Sequence, residues 1–330
     1  MSEISGAVEA CELRKSYGGK GKAGQVRALN GLSFSVAPAS VFALLGPNGA
    51  GMTTTMRILT TLSRPDDGRA VVAGVDVLKR PGRVRSAIGA VSQHSGACGL
   101  LTGYENLVLQ GRIFGIARQE LRSRVAELLD QFELTDAAGR PARTYSGGMR
   151  RRLDVAAALV HRPAVLFLDE PTTGLDPEGR AELWAMLTSL SSEAGTTILV
   201  TTHYLDEADK YAARIAIVDR GRVVVEGTSD QLKAGLEGDS VVLDLGDAGQ
   251  VERAEKALVQ VPQVRQTSSD RAVVRARVAD GPQALPAMLA QLEADGVVVR
   301  SVTVARPSLD DVYLHHAGRS FRQAEGSAAA

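Results

Sequence analysis

Four short apolar runs recur along the first two-thirds of the chain: Val41–Leu45, Ala164–Leu168, Thr197–Thr201 and Arg214–Val218. Their near-continuous hydrophobicity predicts strands buried on both faces of a mostly parallel sheet. Helix-like segments separate them, so an α/β core is expected. Gln119–Phe132 and Gly147–Val160 then carry apolar residues at helical spacing, which predicts a helical insert over about 95–162. Near residue 235 the pattern changes again. Val241–Leu245, Ala272–Val278 and Val297–Val304 read as strands, and Val251–Val261 and Pro282–Ala294 as helices. The chain is therefore expected to carry an α/β domain over 8–232 and a small α+β domain over 238–318. A disordered tail is expected over 319–330, ending in Glu325-Gly326-Ser327-Ala328-Ala329-Ala330.

Composition narrows the function. With 330 residues, 44% of them hydrophobic, the chain can build two cores. Lys+Arg and Asp+Glu are both 38, so no basic surplus points to a nucleic-acid partner, and 4% aromatics are too few for a base-stacking surface. No apolar run approaches the roughly 20 residues of a membrane-spanning helix. Met1–Gly6 lacks the basic-then-apolar layout of a signal peptide, and a soluble, cytosolic protein is expected. Cys11 and Cys98 are too few for a zinc cluster or a disulfide framework.

The chemistry concentrates after the buried runs. Gly46-Pro47-Asn48-Gly49-Ala50-Gly51-Met52-Thr53-Thr54 follows Val41–Leu45 and precedes a helix-like run, Thr54–Leu62. Such glycines let backbone N–H groups converge on phosphate oxygens at a helix start, where the dipole favours anions. The phosphate-loop pattern holds except at one position: Met52 stands where lysine belongs. Thr53 offers the hydroxyl expected on Mg2+, but Met52 cannot supply the ammonium that reaches the β- and γ-phosphates. The run Ala164–Leu168 leads directly into Asp169 and Glu170. Carboxyl ends of buried parallel strands are where α/β folds bind ligands. Asp169 is expected to hold Mg2+ through water, and Glu170 to orient or deprotonate an attacking water.

Thr144-Tyr145-Ser146-Gly147-Gly148-Met149-Arg150 resembles the signature sequence of ATP-binding cassette (ABC) ATPases. With the phosphate loop, Leu166–Pro171, Gly174-Leu175-Asp176-Pro177 and Thr202-His203, the resemblance covers residues 8–230. Tyr145–Val160, Thr201–Asp209 and Ser308–Gly318 are similar, more narrowly, to the daunorubicin/doxorubicin-resistance ATP-binding proteins. That resemblance reaches into the C-terminal domain, where Leu309–Tyr313 is its most specific piece; a docking or dimerising role and simple packing both stay open there. It implies an ABC nucleotide-binding domain, with a helical subdomain and an accessory α+β domain, that takes ATP and Mg2+.

Roles follow by resemblance, residue by residue. Tyr17 matches the aromatic that stacks on adenine, and residues 46–54 match the phosphate-binding loop. Gln93 matches the glutamine that contacts Mg2+ and heads the loop toward the membrane partner. His203 matches the histidine that contacts the γ-phosphate, and Asp176 the aspartate that communicates across a dimer. Ser146, Gly147 and Gly148 match the helix start that binds the γ-phosphate of ATP held by a second copy, which implies a head-to-tail homodimer. The resemblance implies the transport ATPase of an exporter at the cytoplasmic face of the membrane. An amphipathic, drug-like substrate would be moved by a separate integral-membrane permease in two copies. Met52 implies impaired hydrolysis; an inactive regulatory cassette, or a motor exporting lipid or polysaccharide, are the alternatives. Arg150, Arg151 and Arg152 read as a solvated face or local ion pairs. His94, His161, His315 and His316 match nothing and read as surface or packing residues.

Overall fold

The computed structural model describes residues 6–18, 26–236, 238–305 and 307–328. Met1–Ser5, read for a signal pattern, and Ala329–Ala330 of the expected tail lie outside the described residues. The chain divides into two compact units, Met1–Glu226 and Gly227–Ala330.

In the first unit a six-stranded sheet runs in the order Arg222–Gly227, Arg214–Asp219, Val41–Leu45, Thr197–Thr202, Val165–Asp169, Ile88–Val91. Val41–Leu45 pairs in parallel with both of its neighbours, and Val165–Asp169 with both of its own. The four apolar runs are thus strands, and their two faces feed two cores, as the absence of alternation requires. Leu166, Leu168, Ile198 and Val200 pack toward the helices Arg118–Gln131, Gly147–Leu159 and Pro177–Ser192. Phe42, Leu44, Val165, Phe167 and Leu199 pack with the helix Met52–Leu59 and a second sheet.

That second sheet has no counterpart in the sequence reading. It orders Val26–Val36, Val8–Tyr17, Asp67–Val72 and Val75–Asp76, with antiparallel pairing throughout. Register shifts interrupt the long pair at Ala10/Leu13, Leu13/Arg14 and Lys15/Ser16. Each bulge resets which face a residue points to, so no clean period of two survives in the sequence.

The second unit places Asp239–Asp244, Val251–Val259, Val264–Asp270, Val273–Val278, Gly281–Ala294 and Ser301–Ala305 in βαββαβ order. Its antiparallel sheet runs Val264–Asp270, Val273–Val278, Asp239–Asp244, Ser301–Ala305, a ferredoxin-like arrangement. Val241, Leu243, Val274 and Ala276 meet Ala254, Leu258, Met288 and Leu292 of the two helices.

Two expectations for this unit need correction. The strand expected over Val297–Val304 begins at Ser301. Val297 N donates instead to Leu292 O at 2.8 Å and Val298 N to Gln250 Oε1 at 2.8 Å, which diverts this stretch from the ladder. The tail expected to be disordered from 319 carries a helix, Phe321–Ala328. Phe321 and Ala324 are buried, Phe321 lies edge-on to Tyr313, and Phe321 N donates to Asp310 Oδ1 at 3.1 Å. Apolar burial holds a segment whose composition alone suggested no partner.

Candidate functional site

Parallel pairing aligns the carboxyl ends of four strands. Leu45 lies opposite Thr202, Asp169 opposite Thr201, and Val91 opposite Leu168. Gly46, His203 and Glu170, which follow these strands directly, and Gln93, two residues beyond Val91, therefore emerge along one edge of the sheet, where a ligand can reach them.

The loop Gly46–Gly51 turns from the sheet into the helix Met52–Leu59. Gly51 has φ 107°, and a Cβ there would stand 2.5 Å from Ala28 O and 2.8 Å from Leu29 Cδ2. Only glycine fits both the backbone and the space. Ala50 N donates to Pro47 O at 3.0 Å and Gly221 N to Ala50 O at 2.8 Å, which pins the turn. The first N–H groups of the helix have no carbonyl a turn earlier and carry the positive end of its dipole. Asn48 through Thr54 line a groove with Val26, Arg27, Ala28 and Glu170. Tyr17 pairs with Val26 across the strands, which sets it, exposed, beside that groove.

Met52 is 5% exposed and belongs to the apolar core with Ala50, Met56 and Leu44. Its side chain is a packing group at the base of the glycine-rich turn. The residues present fit a nucleotide phosphate and a divalent cation in all but that ammonium.

Asp169 and Glu170 are held differently. Asp169 Oδ1 accepts from Thr201 Oγ1 at 2.6 Å and from Thr53 Oγ1 at 3.5 Å. Burial pushes its carboxyl above the usual range, partly offset by the Thr201 bond. Glu170 has φ 45°, a left-handed backbone rare outside glycine. His203 Nδ1 at 3.4 Å, Gln93 Nε2 at 3.4 Å and Thr173 Oγ1 at 3.1 Å converge on its Oε2. The His203 bond, chiefly, holds this carboxyl below the usual glutamate range. These three contacts engage Oε2.

Of the candidate residues, the structure brings together Gly46 through Thr54, Asp169, Glu170, His203 and Gln93. Ser146, Gly147 and Gly148 stand apart, at the start of the helix Gly147–Leu159. Ser146 Oγ accepts from Met149 N at 3.2 Å as an N-cap. A Cβ on Gly148 would meet nothing within 4 Å. Gly147 lines a cleft with Gln93, Ser95, Thr173, Gly174 and Leu175, and no phosphate-loop residue lines it. Asp176 is exposed at the start of the helix Pro177–Ser192 and makes no side-chain cap bond.

Arg151 departs from the solvated face expected of the arginine run. It is 7% exposed and donates to Ser92 O at 2.6 Å, Pro171 O at 2.7 Å and Asp169 O at 3.1 Å. Those carbonyls precede Gln93 and bracket Glu170. One turn on, the buried Asp154 accepts from Ser95 Oγ, Gly96 N and Ala97 N. Only Arg152 keeps the expected ion pairs, with Glu133 and Glu182. Helical spacing did contain a signal: Arg151 and Asp154 fall on the same face as the apolar Val155 and Leu159. His161 is a packing residue, stacked on Phe114 at 3.6 Å.

Removing the Arg151 charge orphans three carbonyls and takes a favourable charge from beside the buried Asp154. Arg151→Met should lower the unfolding free energy of this unit by about 3–5 kcal/mol. Urea unfolding followed by the fluorescence of Trp184, the single tryptophan and fully buried, measures it. A loss under about 1 kcal/mol would contradict a buried, paired guanidinium.

Comparison with known proteins agrees with this geometry. The family described as ABC transporter matches residues 29–173, and the C-terminal domain described as ATP-binding protein DrrA1-3-like matches residues 227–317. The daunorubicin resistance ATP-binding protein DrrA2 of Streptomyces coeruleorubidus is 45% identical, covering 98% of this chain and 99% of its own. The chain belongs to the ABC transporter ATP-binding family. The Nod factor export ATP-binding protein I of Paraburkholderia xenovorans is 38% identical over 96% of this chain and 98% of its own. Among solved structures, the dimeric post-hydrolysis state of the cassette MJ0796 bound to ADP and Pi gives a TM-score of 0.61 at 27% identity. It covers 67% of this chain and 98% of that one. The six-stranded sheet with its helical insert is the ABC ATPase fold, and the second unit is the DrrA-type C-terminal domain. No helix among the described residues is long and apolar enough to cross a membrane.

Proposed function

We propose that this chain is the motor subunit of a drug exporter, coupling ATP binding and hydrolysis to a separate integral-membrane permease, and that Met52 impairs its hydrolytic step. The cargo would be amphipathic and drug-like, the permease present in two copies, and the motor bound at the cytoplasmic face. The observation that carries the reading is end-to-end similarity to a daunorubicin resistance protein, C-terminal domain included. The relative named for Nod factor export supports a second reading, export of a cargo other than a drug. Expression with a candidate permease, followed by efflux of a fluorescent anthracycline, tests the cargo. Accumulation unchanged by the pair would remove the drug reading.

The chain's own residues divide the chemistry. Backbone N–H groups from Gly49 to Thr54 hold the phosphates, and Tyr17 stacks on the adenine. Thr53, Gln93 and Asp169 hold Mg2+, which when bound neutralises charge on the phosphate oxygens. Glu170, kept ionised by His203, accepts a proton from water. Ser146, Gly147 and Gly148 offer a second, open helix start suited to the γ-phosphate bound by another copy, and Asp176 lies at the start of the next helix to signal across that contact. Met52 favours one further reading, an inactive regulatory cassette.

Binding does not require the missing lysine. Calorimetry should detect Mg-ATP at sub-millimolar to millimolar affinity, and no heat at millimolar nucleotide would contradict the site. Light scattering should show ATP-dependent doubling of mass in a hydrolysis-blocked chain. Ser146→Arg should abolish that doubling by filling the γ-phosphate seat.

A further inference from the structure

A hydroxyl on the neighbouring strand joins the Asp169 carboxylate to the backbone amide of Glu170. We propose that Thr201 is a positioning residue that sets Asp169 and Glu170 relative to one another, and so tunes how the site uses its divalent cation. This rests on the nucleotide-hydrolysing reading above.

Thr201 is fully buried on the strand Thr197–Thr202 and lies opposite Asp169 in the parallel register. Its Oγ1 donates to Asp169 Oδ1 at 2.6 Å and accepts from Glu170 N at 2.9 Å. A hydroxyl has one proton to give, and here it goes to Asp169. The bond pins Oδ1 and leaves Oδ2 as the oxygen to present to a cation. The second bond takes up the amide of Glu170, at the residue where the backbone turns to φ 45°. A left-handed residue with a side chain persists only when its surroundings enforce it. Thr201 supplies that constraint from one side, and Arg151, through Asp169 O and Pro171 O, from the other. The turn in the backbone aims Glu170 Oε2 at His203, Gln93 and Thr173. One hydroxyl thereby governs both the cation-facing carboxylate and the proton-accepting one.

Valine matches threonine in shape and strand preference but makes neither bond. Serine makes both. Losing one hydrogen bond to a charged group costs roughly a factor of ten or more in whatever depends on its geometry. The whole chain is titrated by calorimetry with Mg-ATP and with ATP in EDTA. The gain in affinity due to Mg2+ should fall about tenfold in Thr201→Val, while affinity in EDTA stays within about twofold. Thr201→Ser should restore the gain to within about threefold. In a Met52→Lys background, Thr201→Val should lower kcat more than it changes KM. Thr201→Ala, which cannot overpack, replaces the valine variant should that chain not fold.

A valine or alanine chain with the parent's Mg2+ dependence would overturn the proposal, as would a serine chain as impaired as the valine one. A parent that binds no Mg-ATP would overturn the nucleotide reading, and this inference with it. A parent that binds Mg-ATP with variants that do not differ from it would sink Thr201 alone.

Discussion

Met52→Lys should raise steady-state phosphate release by about tenfold or more, measured with the permease partner in vesicles. Charge accumulates on the transferring phosphoryl oxygens, and a preorganised cation there contributes several kcal/mol to the transition state. Tenfold corresponds to about 1.4 kcal/mol, so the expected gain is a conservative share of that. The structure supplies the opposing cost. Met52 is a core residue packed among Ala50, Met56 and Leu44, and its thioether lies near Gly46. A lysine can leave its methylenes along that apolar wall while its ammonium extends into the groove lined by Asn48 to Thr54. The loss of packing is therefore about 1 kcal/mol of folding stability, a cost a folded domain of this size bears without unfolding. Equal turnover by the two proteins would remove Met52 as the lesion.

Glu170→Gln, placed in the Met52→Lys background, should lower turnover by about a hundredfold or more and preserve ATP binding. A glutamine fills the same volume and keeps contact with His203, Gln93 and Thr173, but its amide is a poor proton acceptor. The chemical step fails while the phosphate loop is untouched, so ATP should stay trapped between two copies. Single-turnover kinetics and light scattering read the two effects separately. The glutamate is ionised at neutral pH, since the His203 bond holds its carboxyl below the usual range. Turnover should accordingly persist as pH falls until that carboxyl is protonated. A Glu170→Gln chain that still hydrolyses at the Met52→Lys rate would place the base elsewhere.

Apolar continuity was enough to locate Val41–Leu45, Val165–Asp169, Thr197–Thr202 and Arg214–Asp219, because strands buried on both faces need no alternation to be recognised. Glycine spacing and the paired carboxylates pointed to Gly46 through Thr54, Asp169 and Glu170 for a local reason. A phosphate loop and a strand-end dyad are each built from consecutive residues. Ser146 as a helix cap is legible on the same ground.

Long-range packing decided the remainder. Val264–Asp270 is too polar to read as a strand, and it is one because it pairs with Val273–Val278. Val8–Tyr17 and Val26–Val36 lose their alternation to bulges that only their pairing makes sense of. Arg151 looks like one of three surface arginines until Ser92, Asp169 and Pro171 turn their carbonyls toward it. The joining of Thr201 to Asp169, across 32 residues, comes from strand order, which local sequence does not encode. The sequence alone determined which strands are buried and which residues follow them as candidates for phosphate chemistry, since that depends on residue type and short spacing. Which of them meet, and which buried polar groups hold them in place, depends on distant backbone amides and carbonyls finding partners, and only the tertiary structure decided that.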